Sequence, residues 1–321
     1  MDDKQIEQII EKAEEIDQPK NENADFSSDD EKESLISLWK EMIYDVYAYR
    51  ELLIEMFKRD LRVKYKQALI GYIWTIFMPA MVVFSGFIIK FVMAKMAGQA
   101  FQMESFAVMS VKAVAWSFFL GSVTAASNSL VGNIGLITKI YFPREVFPMS
   151  CFVSNTFDFS IGAGSLFVVL LFLGKIQWTL NLLWLPVLFI LLVTLGLAIS
   201  MFFACEMVFY RDFRYLLGLL TSFGIFFTTI FFEPDMLGPT LGPIMMLNPV
   251  SPILEAIRLT VINGHNLFVP LYNDGGFVAT GSNVVVWQPW YLAYAAAFSF
   301  ISLFFSWMHF HKSEFLYAEY I

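Results

Sequence analysis

The sequence predicts an all-α integral membrane protein with six transmembrane helices. An N-terminal amphipathic interface helix precedes them, and re-entrant outer helices lie between spans five and six. Two observations carry the prediction: a surplus of apolar residues, and its concentration in six segments long enough to cross a bilayer. Of 321 residues, 57% are hydrophobic, 17% aromatic and only 16% charged, and the mean hydropathy is +0.60. A soluble globular chain is about 45–50% apolar and about 25% charged. The surplus therefore needs lipid as its neighbour.

The net charge of −8 is a local property: residues 1–34 hold 13 acidic residues against 4 lysines, which leaves the rest of the chain close to neutral. That stretch is polar and almost free of aromatics, so it cannot bury enough apolar surface to offset the entropy of ordering. It is predicted to be a disordered, acidic cytosolic tail. Residues 35–66 follow as amphipathic cytosolic interface helices. Leu35, Leu38, Trp39, Met42, Ile43 and Val46 recur at helical spacing, and Leu53, Met56, Phe57 and Leu61 repeat the pattern. The second helix sets Lys58, Arg59, Arg62, Lys64 and Lys66 directly before a long apolar run. Such a helix lies in the headgroup plane, its basic side chains on anionic lipid and its apolar stripe on the acyl boundary. The N-terminus lacks the apolar core of a signal peptide, so the first span is expected to direct insertion.

A crossing takes about 20 apolar residues. The six-span domain, residues 67–315, supplies Gln67–Ile89, Ala113–Thr138, Phe147–Gly174, Ile176–Cys205, Tyr215–Phe232 and Pro289–Phe310. The fourth is long enough that part of it must tilt or lie outside the core. Lysine and arginine bias sets the orientation: Lys139, Arg144, Arg211, Arg214 and Lys312 face inward, and Lys95, Lys112, Lys175 and Arg258 outward. Both termini, including residues 316–321, are then cytosolic.

Between spans five and six, residues 233–264 are apolar but carry Pro234, Pro239, Pro243, Pro249 and Pro252, which forbid one continuous helix. Two short helices dipping into the outer leaflet and broken near Asn248-Pro249 fit this pattern, with protein or a water-filled cavity around the break. Residues 268–288 alternate β-favouring runs with Gly- and Asn-rich turns, predicting a small outer hairpin.

The chemistry of a resident catalyst is missing from this pattern. No phosphate-binding loop is present, since Gly174-Lys175 continues as Ile-Gln-Trp. His265, His309 and His311 have no carboxylate or cysteine at ligand spacing, and Cys151 and Cys205 sit singly in apolar runs. The expectation is a transport subunit that is not an enzyme, with no metal and no cofactor of its own. Asp158 lies inside span three, where an ionised carboxylate costs about 3 kcal/mol on insertion scales. Two readings stay open for it: a structural hydrogen bond to a neighbouring helix, or a role in proton coupling.

Residues 49–79, YRELLIEMFKRDLRVKYKQALIGYIWTIFMP, combine Arg59-Asp60-Leu61, Lys64-Tyr65-Lys66, Gly71, Trp74 and Pro79. This order resembles the membrane subunit (permease) of type-2 ABC transporters that export bacterial polysaccharides: O-antigen, capsule and teichoic acid. Lys139 to Glu145, KIYFPRE, is similar to that family's inner loop. Leu247 to Arg258, LNPVSPILEAIR, is similar to its outer re-entrant region, and Arg211-Asp212-Phe213-Arg214 to its short helix between spans four and five. The resemblance covers residues 49–315. The long acidic tail and the Val269–Trp287 insertion depart from the family pattern.

The resemblance implies a homodimer in the bacterial cytoplasmic (inner) membrane, with its channel between the two copies. It implies two copies of a separate cytosolic ABC ATPase carrying ATP and Mg, a lipid-linked polysaccharide substrate, contacts with membrane lipids, and no nucleic acid. Arg59, Asp60, Lys139, Tyr141, Arg144, Glu145, Arg211, Asp212 and Arg214 are the expected ATPase-coupling residues, although ordinary positive-inside anchoring also accounts for the basic ones. For the channel, aromatic faces suit a sliding glycan: Trp74, Phe77, Met81 and Phe84 share one helical face, and Phe223, Phe226, Phe227 and Ile230 another. Ser117, Thr124, Ser127 and Asn128 form a polar stripe favouring a helix interface or channel wall. The phenylalanines also fit plain lipid or core packing. Pro234, Asn248, Pro249, Pro252, Glu255 and Arg258 are the expected outer gate. Two alternatives remain: a type-2 exporter of small drugs or lipids, and a membrane-bound polysaccharide-synthesis enzyme, which would need a constellation of acids or a metal site.

Overall fold

The computed structural model describes residues 40, 42, 44, 46–66, 73–96, 98, 103–137, 142–273 and 284–314. The acidic tail, the first residues expected in span one (67–72), Lys139, Tyr141, the hairpin tip at 274–283 and the C-terminus at 316–321 lie outside the described residues.

The main helices are α1 (Arg50–Lys66), α2 (Ile73–Met96), α3 (Met103–Ser127), α4 (Val146–Phe172), α5 (Leu185–Phe209), α6 (Phe213–Phe223), α7 (Gly238–Met245), α8 (Val250–Arg258) and α9 (Pro289–Ser313). Strands β1 (Leu271–Asn273) and β2 (Val284–Trp287) pair antiparallel. The segments Ser105–Ser127, Val146–Phe172, Leu180–Phe209 and Pro289–Ser313 are long and apolar enough to cross a membrane. Helix α2 is 24 residues long, about 36 Å at the helical rise per residue.

Helices α3, α4, α5 and α9 enclose the core. Phe119, Phe152, Leu188 and Leu195 are buried there, and Phe118, Phe159 and Phe189 gather with centroids 4.9 to 5.2 Å apart. Close approach is bought at Gly196, where a Cβ would fall 2.8 Å from the Phe152 ring. Proline in the first turns of α5 and α9 presets the backbone angle where no helical acceptor is needed.

Several boundaries differ from the sequence expectation, among them the end of the first span, since α2 continues past Ile89 to Met96. Helix α3 begins at Met103 and not at Ala113, and it carries Lys112 in its interior, because acceptors from other segments meet that ammonium. The fifth span was expected to run to Phe232, but α6 ends at Phe223. Gly224–Phe227 tightens into a 3₁₀ turn and Thr228 is extended, its hydroxyl donating to the Ile225 carbonyl at 2.7 Å and competing with helix continuation. Within the expected fourth span, Ile176–Thr179 is non-helical and Leu180–Trp184 is a 3₁₀ turn ahead of α5.

Helices α7 and α8 meet at a bend of 107°. Asn248 shapes the corner. Its Oδ1 accepts the Val250 N–H at 3.2 Å, an Asx turn that starts α8, and its Nδ2 donates to the Phe227 carbonyl at 2.9 Å. A π-type turn at Leu259–Asn263 ends at Gly264, whose φ of 59° favours glycine. Asn181 Nδ2 donates to the Gly264 carbonyl at 2.7 Å.

Candidate functional site

Two polar centres form at opposite ends of the helix bundle. At the first, the start of α4 meets the ends of α5 and α9. Glu145 is fully buried: its Oε1 accepts from Trp307 Nε1 at 3.1 Å and lies 2.8 Å from His311 Nδ1. Arg144 is half-buried, its backbone N–H donating to Glu314 Oε1 at 2.9 Å and its guanidinium to the Glu314 carbonyl. His309 Nε2 lies 2.9 Å from Glu206 Oε1.

This corrects two expectations. Glu145, expected on a docking surface, turns inward because Trp307 and His311 supply the polar partners that a buried carboxylate requires. His309 and His311 acquire carboxylate neighbours that sequence spacing could not show, while His265 lies 2.9 Å from the Val269 carbonyl. By distance alone, the groups Glu145–His311–Glu314 and Cys205–Glu206–His309 could each hold a metal ion.

Burial pushes the Glu314 carboxyl from its ordinary 4.5 up to about 7, with Glu145 adding to the rise and the Arg144 N–H and the charges of Arg144 and His311 opposing it. An acid whose pKa rises on folding holds its proton more tightly in the folded state. Its contribution to stability therefore declines as pH climbs from about 4.5 to about 7. Glu314→Gln keeps the acceptor for the Arg144 N–H and removes the penalty. The melting temperature of Glu314→Gln relative to the parent should thus rise between pH about 4.5 and about 7; a difference independent of pH would contradict the assignment.

Helix α1 docks on α4 beside this centre. Lys64 and Tyr65 both donate to Asp158, and Lys64 also reaches Asn155 Oδ1 at 3.4 Å. Arg59 Nε and Nη2 donate to Asp60 Oδ1 at 3.0 and 2.8 Å. The intramembrane acid thus holds the interface helix. Asp158→Ala should cost about 1–2 kcal/mol, modest for a charged hydrogen bond because Lys64 is half exposed. Thermal unfolding checks that loss, and a pH-dependent transport defect in Asp158→Asn would favour proton coupling instead.

Arg211 and Asp212, between α5 and α6, and Arg214, in the first turn of α6, are exposed. Both arginines line a cavity of about 440 Å³ with Val131, Ile134, Met207 and Tyr215. On α2, Trp74, Phe77, Met81 and Phe84 are all exposed. Trp74 and Ser117 share a cleft of about 310 Å³ with Lys64 and Asp158, and Met81 and Phe84 line a cavity of about 750 Å³ against α3 and α4. Phe223, Phe226 and Phe227 are exposed, but Ile230 is buried, because the helix ends before it. None of these cavities joins the α2 row to the Phe223 row. Thr124 and Asn128 bond back to carbonyls of their own helix, so the polar stripe does not by itself demand a channel.

At the second centre, charges converge on the bent pair. Lys112, fully buried, pairs with Glu255 Oε2 at 2.6 Å and donates to the Thr229 carbonyl at 2.8 Å. Glu255 also pairs with Arg258. Lys90 Nζ lies 2.5 Å from Glu233 Oε1, and Arg258 Nη1 lies 3.7 Å from Glu233 Oε2. The expected gate residues Glu255 and Arg258 are brought together, while Lys112, expected in an outer loop, stands inside α3. Lys90 and Glu233 were not anticipated as site residues. A lone lysine inside an apolar run, as in FIIKFVM and SVKAVAW, is the signal that marks Lys90 and Lys112; Glu233 carries no such signal.

Similarity to known proteins runs along most of this frame. The chain is 26% identical over 246 residues to an O-antigen export system permease protein RfbA of Klebsiella pneumoniae, covering 74% of this chain and 92% of that one. It is similar to O-antigen export permeases. A second Klebsiella pneumoniae protein of that name is 27% identical over 228 residues, covering 70% of this chain and 85% of the relative. One from Myxococcus xanthus is 26% identical over 220 residues, covering 68% and 82%. No family model matches the chain. The similarity to polysaccharide-exporter permeases read from the motifs is therefore borne out, and with its apolar helices the chain is a multi-pass membrane protein.

Proposed function

We propose that this chain is the membrane subunit of an ATP-driven exporter that moves a lipid-linked polysaccharide across the bacterial cytoplasmic membrane. The observation that carries the reading is the similarity to permeases named for O-antigen export over 82 to 92% of their own length. It works as a homodimer with two copies of a separate ABC ATPase that binds ATP and Mg, and it crosses the membrane six times with both termini in the cytosol.

In this reading the Arg144–Glu314 end faces the ATPase. Exposed Arg211, Asp212 and Arg214 and the half-buried Arg144 make contact, as do Lys139 and Tyr141. Buried Glu145 holds the loop to α9, and Arg59 and Asp60 position α1. The exposed rows Trp74–Phe84 and Phe223–Phe227, with Ser117, Thr124 and Asn128, face the polymer path. Aromatic faces stack on sugar C–H surfaces without a fixed hydrogen-bond pattern and so permit sliding. Pro234, Asn248, Pro249, Pro252, Glu255 and Arg258 form the outer gate.

Co-expression with the ATPase of an O-antigen export system, purification in detergent and mass measurement test the assembly. A two-plus-two complex whose ATP hydrolysis responds to lipid-linked glycan is expected. A chain that purifies alone and elongates glycan would overturn the reading in favour of a synthesis enzyme. Stimulation by small drugs or free lipids alone would redirect it to another type-2 exporter.

A further inference from the structure

Five charged side chains from four segments meet where almost no water reaches. Lys90 comes from α2, Lys112 from α3, Glu233 from the segment before α7, and Glu255 and Arg258 from α8. Glu255 and Lys112 are fully buried, and Lys90 and Arg258 nearly so. Asp235, two residues after Glu233, acts electrostatically on Arg258. The ion pairs join three cations, Lys90, Lys112 and Arg258, to two carboxylates, Glu233 and Glu255.

Burying charges in a membrane helix is costly, and apolar side chains of similar volume would pack α3 against α8 at least as well. Attraction among such groups also depends steeply on distance where the dielectric is low. The network is thus stiff while its partners touch and weak once they part, as a two-position clasp requires. The bend reinforces that reading. Helix α8 is short and flanked by Pro249 and the π-type turn, so its own backbone does little to fix its position.

We propose that Lys112 and Lys90 are positioning residues for the bent pair: through Glu255 and Glu233 they clasp α7 and α8 against α3 and α2, and moving this pair requires the charges to exchange partners. That such movement opens an export path rests on the exporter reading. The clasp itself rests on the geometry.

Hydrogen exchange of the intact protein in lipid nanodiscs tests it, comparing the parent with Lys112→Met, Glu255→Gln and the double variant. Removing one partner of a buried pair should accelerate exchange across residues 250–263 by roughly 100-fold, with α5 and α9 unchanged. The double variant should exchange far more slowly than the two single effects combined predict, because both act through one network. Unchanged exchange at 250–263, additive effects, or an increase spread over α5 and α9 would overturn the clasp. If Lys112→Met fails to fold, Lys90→Met, at the less buried end, gives the same reading from residues 238–263. Failure of the exporter reading would instead appear as absence of ATPase association in the parent chain, with the exchange pattern intact.

Discussion

Glu145→Ala is expected to lower stability by roughly 3 kcal/mol, since a fully buried carboxylate and both its interactions are removed together. Trp307 and His311 would lose this acceptor in surroundings that offer little water in exchange. Because Glu145 stands at the first residue before α4 and Trp307 near the end of α9, the loss would also weaken the loop's hold on the last helix and leave it to the Arg144–Glu314 contacts. Thermal unfolding in detergent measures the first effect. A shift no larger than that of an exposed substitution such as Arg211→Ala would show that Glu145 does not hold the loop. For the assembled exporter, replacing Arg144 and Glu145 together should separate ATP hydrolysis from export. Unchanged export with normal ATPase stimulation would remove this loop from the coupling path.

Gly242→Ala is the second large effect, and its cause is backbone against backbone. A Cβ at Gly242 would stand 2.5 Å from the Pro234 carbonyl oxygen and 3.2 Å from its carbon. No side-chain rotation relieves that contact, so α7 must move away from the segment that carries Glu233. The cost should be about 1–3 kcal/mol, as for overpacking elsewhere. Gly218→Ala in α6 is the control: nothing lies within 4 Å of the added carbon, and alanine favours a helix by up to about 1 kcal/mol over glycine. Equal melting temperatures for the two variants would contradict the close approach at Gly242.

How much of this was legible in the sequence depends on whether the determining signal is local. The prolines from Pro234 to Pro252 are local signals, and the break they predict falls between Met245 and Val250. The spans beginning at Phe147 and Pro289 were bounded by composition alone, and α4 and α9 begin within one residue of those positions. Lys112 was misplaced for a physical reason. A search for charge-free windows starts a span after a lysine, whereas the fold keeps Lys112 inside α3 by bringing Glu255 and Thr229 to it from more than a hundred residues away. Glu145 misled in the same way, because an acidic residue beside Arg144 in a short loop looks solvated until Trp307 and His311 arrive from the far end of the chain. Periodicity aligned Phe223, Phe226, Phe227 and Ile230 on one helical face, but the helix stops at Phe223 and the register is lost.

The most direct test of the central claim is to place this chain and its ATPase in sealed inside-out vesicles carrying lipid-linked polysaccharide on the outer, cytosol-equivalent leaflet, and to follow the glycan into the lumen. Glycan should become protected from added glycosidase only when ATP and both subunits are present, and protection should fail when the ATPase cannot hydrolyse. Protection without ATP, or glycan that lengthens without crossing, would contradict the account.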